Sequence, residues 1–203
     1  PAVAAAQAVS RGLPVKVVAL YQTKAPMGVI SFPDVKLSTP KDLEGKKIAI
    51  STGETFTDML PSFAKINNFD LSKLTQIQMH KSARATQFLG RKIDVMSVYL
   101  SNELPKLEKV AKVKFNVMKV SDFGLNLVGA SMIVSDDYAA KKPDVVRKLL
   151  AATGKGYRYA ITHPEEAAKI MSAAYNVPDD PEITLKQVRA SLESTNVVAG
   201  KPI

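Results

Sequence analysis

From residue 13 to residue 135 the chain alternates short β-branched runs with helix-start signals, and this alternation restricts its fold more than any other feature. "LPVKVVALYQ" (13–22), after a short helical pattern over 2–11, and "MGVISF" (27–32) read as apolar strands. "PDVKLSTPKDLEGKK" then carries a helix start, with Thr39 as N-cap, Pro40 at the first helical position, Asp42 in the first turn and Gly45 as the stop. The order repeats: strand 46–51, helix 55–67, strand 75–79, helix 82–90, strand 93–100, helix 102–110, strand 115–120. Strands that alternate with helices predict an α/β fold with a mainly parallel sheet covered on both faces. One more strand, 129–135, precedes three helices over 143–162, 164–175 and 181–194, where Pro143, Pro164 and Pro181 each open a helix with acids following. With no low-complexity linker, the expected division is by chain crossing. A lobe over 36–122 is inserted between segments 1–35 and 123–203, which pair with each other.

Composition removes several function classes. The chain has 203 residues, 46% hydrophobic and 23% charged, as folded globular chains do. It has no cysteine, which removes disulfides, thiolate nucleophiles and cysteine-based metal sites, and its two histidines, His80 and His163, lack an HExxH-type spacing. No metal or cofactor is therefore expected. The net charge of +9 is spread along the chain beside acids, without a dense basic run, and aromatics are 6%, so a solvated surface is expected and no nucleic-acid partner. No apolar segment approaches the ~20 residues that span a bilayer. The alanine-rich opening lacks a basic n-region and is interrupted by Gln7, Ser10 and Arg11, so it is not a signal peptide, and the missing initiator methionine reads as an excerpt or a processed product. No Ser–His–Asp elbow or paired carboxylates emerge, and the DFG at 122–124 lacks every other kinase motif. A binding module is expected rather than an enzyme.

Ligands of open α/β sheets bind beyond the carboxyl ends of strands, where helix N-termini present unpaired N–H groups. "STGETFTD" occupies that place: Ser51, Thr52 and Gly53 end a strand, and Thr55 and Thr57 add hydroxyls. The first-turn amides can hold a carboxylate, sulfonate, phosphate or amide oxygen; alternatively Thr52 or Thr55 simply caps the helix, and the sequence leaves both open. "MHKSARAT" sets His80, Lys81, Ser82 and Arg84 around the next helix start, where cations oppose the dipole unless an anion or acid compensates. His80 reads first as a structural hydrogen-bonder. In "SVYLSNE", Ser97, Tyr99 and Asn102 form a polar and aromatic wall, unless Tyr99 is packing. Asp122 and Gly124 fall where the chain crosses back.

The stretches "GLPVKVVA", "LSTPKDLEGKKIAISTGETFTDML", "GRKIDVMSVY" and "KKPDVVRKLLAATGKGYRYAITHPEEAAKIM", in this order and spacing, resemble the periplasmic substrate-binding proteins of ABC importers, in the family with sulfonate-, nitrate-, taurine- and thiamine-pyrimidine-binding members. The resemblance implies a two-lobed type II periplasmic-binding-protein fold, with the first lobe incomplete at its N-terminal side, that closes on a small ligand and delivers it to a membrane permease. It implies a monomer in the periplasm, or an extracellular protein anchored through a segment upstream. By position it carries the ligand-lining turn onto Thr52, Gly53, Glu54, Thr55 and Phe56, and more loosely onto Tyr99 and Asp122. Two acids among these favour a pyrimidine-like heteroaromatic or amine-bearing ligand stacked on Phe56 or Tyr99, with an organic anion as the rival. An alternative on the same fold is the effector-binding domain of a LysR-type transcription regulator. A pyrimidine-synthase relative depends on a cysteine-rich motif that this chain lacks.

Overall fold

The computed structural model describes residues 2–175, 180–195 and 197; the remaining positions of the expected first lobe, 1, 176–179, 196 and 198–203, lie outside that range. In chain order the elements are α1 (Ala2–Ser10), β1 (Val15–Leu20), β2 (Met27–Ser31), β3 (Lys47–Ile50), α2 (Thr55–Asn67), β4 (Thr75–Gln78), α3 (Lys81–Leu89) and β5 (Val95–Tyr99). There follow α4 (Glu103–Ala111), β6 (Asn116–Lys119), β7 (Ser131–Ser135), α5 (Asp136–Lys141), α6 (Pro143–Thr162), α7 (Pro164–Tyr175) and α8 (Pro181–Glu193).

The chain divides into two units, one of Pro1–Pro26 with Leu127–Ile203 and one of Met27–Asn126. The inserted unit thus begins at 27 rather than 36 and ends at 126 rather than 122. The reason is β2, which was grouped with the first lobe but pairs with β5 and with β6.

In the inserted unit the strand order is β4-β3-β5-β2-β6. β3 runs parallel to β4 and to β5, whereas β2 is antiparallel to both its neighbours. The expected mainly parallel sheet is therefore a mixed one, in which four strands share a direction and β2 alone opposes them. Each of the four follows a helix or helical turn of the inserted unit, as parallel crossovers require, whereas β2 opens that unit with no crossover before it. Alternating residues face opposite sides of the sheet. Ile30, Met96 and Val98 join Phe32, Phe88 and Phe115 on one face, while their neighbours Val29 and Val95 are equally buried. The three phenylalanines meet at centroid distances of 5.0 to 5.2 Å. The Thr39–Pro40 helix start is present, but as a single 3-10 turn over Pro40–Leu43.

In the other unit β1 and β7 form a two-stranded antiparallel sheet with a register irregularity between Val17 and Ala19. Gln22 ties this unit across a long sequence separation: its Oε1 accepts from the Ala130 N–H at 3.0 Å, and its Nε2 donates to the Ser191 carbonyl at 3.3 Å. The Tyr21 and Tyr157 rings stack at 4.9 Å. Helix α5 went unread in the sequence although its signal is there: the Ser135 hydroxyl caps the Tyr138 N–H at 3.2 Å, and Asp136 and Asp137 follow in the first turn.

Candidate functional site

Strands β3, β4 and β5 point the same way, so their following turns gather at one edge of the sheet. A cavity of about 320 Å³ opens there. The turn after β3 contributes Gly53, Glu54, Thr55 and Phe56, and the turn after β4 contributes Lys81 and Arg84. The end of β5 and the start of α4 supply Ser97, Val98, Tyr99, Asn102 and Glu103, with Met27 of β2 beside them. This volume suits a small metabolite.

The turn after β3 is tightly specified. Gly53 has φ +69°, in the left-handed region that disfavours side chains, although an added Cβ would meet no atom within 4 Å. The Ser51 hydroxyl donates to the Met79 carbonyl at 2.8 Å, tying the turns after β3 and β4 together. Glu54 is the N-cap of α2 through its backbone, and no side chain caps that helix. Neither Thr52 nor Thr55 performs the capping role that the sequence left open. Thr52 instead accepts from Gln78 Nε2 at 3.2 Å, exposed and outside the cavity lining.

The carboxylate of Glu54 is fully engaged by its own protein. Arg84 Nη2 lies 2.9 Å from its Oε1, the Ser97 hydroxyl donates to the same oxygen, and Thr57 Oγ1 donates to Oε2 at 2.8 Å. Arg84 also donates to the Ser97 carbonyl and hydroxyl, at 2.5 and 2.6 Å. The side chains of Arg84 and Glu54 are only 7% and 13% exposed. The acid that compensates Arg84 is thus Glu54, from the preceding βα turn. The sequence carried this signal in opposite charges placed on successive βα turns of a parallel sheet.

Of the other expected residues, Phe56 lines the cavity but its ring is 1% exposed and packs edge-on against Phe63 at 5.7 Å, so it is core. Tyr99 is 40% exposed and is the aromatic side chain available to a ligand. Asp122 is exposed in the 3-10 turn Val120–Phe123 and does not line the cavity. His80 caps α3, its Nδ1 lying 2.8 Å from the Ser82 hydroxyl. Glu103 was not foreseen; its Oε2 accepts from the Tyr99 N–H at 2.8 Å and fixes the end of β5.

Residues 2–167 match the model of a family described as NMT1/THI5 like. The riboflavin-binding protein RibY of Chloroflexus aurantiacus is 27% identical over 161 residues, which are 77% of this chain and 44% of the relative. The periplasmic aliphatic sulphonate binding protein SsuA from Escherichia coli superposes with a TM-score of 0.72 at 15% identity, covering 97% of this chain and 64% of that one. The alkanesulfonate-binding protein SsuA from Xanthomonas axonopodis pv. citri, bound to MOPS, gives 0.68 at 16% identity, covering 97% and 65%. At these identities the solved structures establish the fold. The chain spans less than half of the curated relative and under two thirds of either solved chain.

Proposed function

The chain belongs to the NMT1/THI5-like family, and on that premise we propose that it is the solute-binding part of an ABC importer, capturing a small polar metabolite outside the cytoplasmic membrane and passing it to a permease. The observation that carries the proposal is the cavity at the carboxyl edge of β3 and β5, lined by the turn at Gly53–Thr55, by Lys81 and Arg84, and by Tyr99. It supplies what a binding site for a small polar molecule needs: an exposed aromatic ring, oriented polar groups and an uncapped helix start. A relative named for riboflavin binding and solved neighbours named for sulphonate binding support this class of ligand, a heteroaromatic or an organic anion.

The roles of the lining residues follow from their contacts. Gly53 and Thr55 bring backbone and hydroxyl to the ligand, and Tyr99 offers its ring. Glu54 and Arg84 hold the two turns in place by satisfying each other. No bond-making step is assigned to any of these residues.

The test is thermal unfolding of the full-length mature protein against riboflavin, pyrimidines, alkanesulfonates, nitrate, carboxylates and amines. A ligand that binds the native state at a hundredfold excess over Kd stabilises it by about 2.7 kcal/mol, a readily measured rise in midpoint. A midpoint indifferent to the whole panel would sink the proposal.

A further inference from the structure

Tyr99 carries the exposed aromatic ring of the cavity, and contacts from three sides decide where that ring stands. It is the last residue of β5, in antiparallel register with Met27 of β2, which also lines the cavity and is 3% exposed. Beyond Tyr99 the chain leaves the sheet and is held by a closed turn instead. The Tyr99 carbonyl accepts from the Asn102 N–H at 3.0 Å, and the Tyr99 N–H donates to Glu103 Oε2 at 2.8 Å. A carboxylate acceptor makes the second bond charge-assisted, and stronger than its neutral counterpart.

Leu100, the next residue, is seated on β2. A Cβ built on Gly28 would lie 3.0 Å from Leu100 Cδ2 and 3.1 Å from the Met118 carbonyl, so the bare glycine leaves the space that Leu100 fills. Leu100 and Leu104 pack against the cluster that holds Phe32, Phe88, Leu107 and Phe115. Leu104 and Leu107 belong to α4, whose first residue is Glu103. The Glu103 carboxylate therefore stands on a helix docked against the core, and an acceptor mounted in this way holds the backbone from which the Tyr99 ring projects.

Resting on the solute-binding reading above, we propose that Glu103 is a positioning residue of this cavity: through the Tyr99 N–H it presets the ring before a ligand arrives, and it raises affinity through Tyr99 rather than by contact with the ligand. A ring already in place adds its contact without the ordering that a mobile wall would need. The two carboxylates of the lining thus do different work. Glu54, engaged by Arg84, Ser97 and Thr57, ties the turns together, whereas Glu103 sets the ring.

The experiment is calorimetric titration of the full-length protein and its variants with riboflavin, and with butanesulfonate where riboflavin does not bind. Glu103→Ala removes the acceptor and is expected to weaken binding about three- to tenfold, the usual cost of ordering one further side chain on binding. Glu103→Gln keeps an oxygen within reach of the Tyr99 N–H and is expected to restore most of that affinity. Both variants remove the negative charge at the start of α4, so both lower the melting midpoint slightly and alike. A merely structural role would make affinity follow the midpoint, whereas here the Ala variant alone loses binding. Tyr99→Ala is expected to weaken binding at least as much as Glu103→Ala, and the double variant to bind like Tyr99→Ala, because Glu103 acts only through the ring. Full affinity in Glu103→Ala, equal losses in the Ala and Gln variants, or additive losses in the double variant overturn the positioning role and leave the solute-binding reading standing. No binding of either probe by the unaltered protein overturns both.

Discussion

At the scale of single residues, the Glu54–Arg84 pair is the feature with the largest energetic consequence. Two charges 2.9 Å apart, both nearly out of contact with solvent, are stable only together. Glu54→Gln leaves the guanidinium buried without a counter-charge, and a loss of about 3 kcal/mol is expected from the usual cost of breaking a buried pair. Arg84→Met strands the carboxylate instead, although Ser97 and Thr57 still donate to it, so its cost is expected to be smaller. The double variant Glu54→Gln with Arg84→Met removes both charges, and its loss should fall short of the sum of the singles by about 1–3 kcal/mol. Urea unfolding of the four proteins measures this coupling; strictly additive losses would show that the two side chains act independently.

At the scale of elements, the 3-10 turn Pro40–Leu43 depends on Asp42, whose Oδ2 accepts from the Ser38 and Thr39 N–H groups at 2.8 Å each. Lys36 Nζ lies 3.0 Å from its Oδ1. Burial pushes the Asp42 carboxyl up, but these donors outweigh it and hold the group at about 2, against an ordinary 3.8. Because the folded value is depressed, the stabilisation is complete above the ordinary value and is lost as pH falls from 3.8 towards 2. A shift of this size corresponds to roughly 2 kcal/mol. Asp42→Asn should therefore lower stability by about that amount at neutral pH and flatten the loss of stability below pH ~4, as read by urea midpoints at successive pH values. This turn also shows what a sequence conveys. Thr39, Pro40 and Asp42 announced a helix start, and the start is there, but nothing in the run demanded a second turn. The helices α6 and α7 lie at the expected residues because an opening proline and N-terminal acids agree locally, and α2 lies at 55–67 as expected although Pro61 stands inside it. The direction of β2 was not legible, since an apolar strand looks the same in either sense and only its partners β5 and β6 decide. The pairing of Glu54 with Arg84 was half legible: opposite charges on successive βα turns hint at it, but that the two turns lie side by side requires β3 and β4 to be neighbours, a long-range fact.

At the scale of the whole molecule, burial is unevenly shared between the two units. The largest fully buried side chains among the described residues, Phe56, Phe63, Phe88, Ile30, Leu43 and Ile48 foremost, all belong to Met27–Asn126. Among the described residues the other unit has a sheet of two strands, and it exposes Leu13, Val17, Val145, Leu149 and Ile170 to between 46% and 55%. Apolar burial is the dominant favourable contribution to folding, and an isolated pair of strands is marginal without further cover. In the 203-residue chain the two units should therefore open at different free energies rather than in one step. Native-state hydrogen exchange measures this directly: amides of β2, β3 and β5 are expected to be the slowest, and those of β1, β7 and α6 faster by at least about a hundredfold. Equal protection across both sheets would mean that the five-stranded sheet and its phenylalanine cluster do not set the stability of the inserted unit apart. The site-bearing turns after β3, β4 and β5 hang from the slow-exchanging sheet, so the groups that would hold a ligand are carried by the better-packed unit.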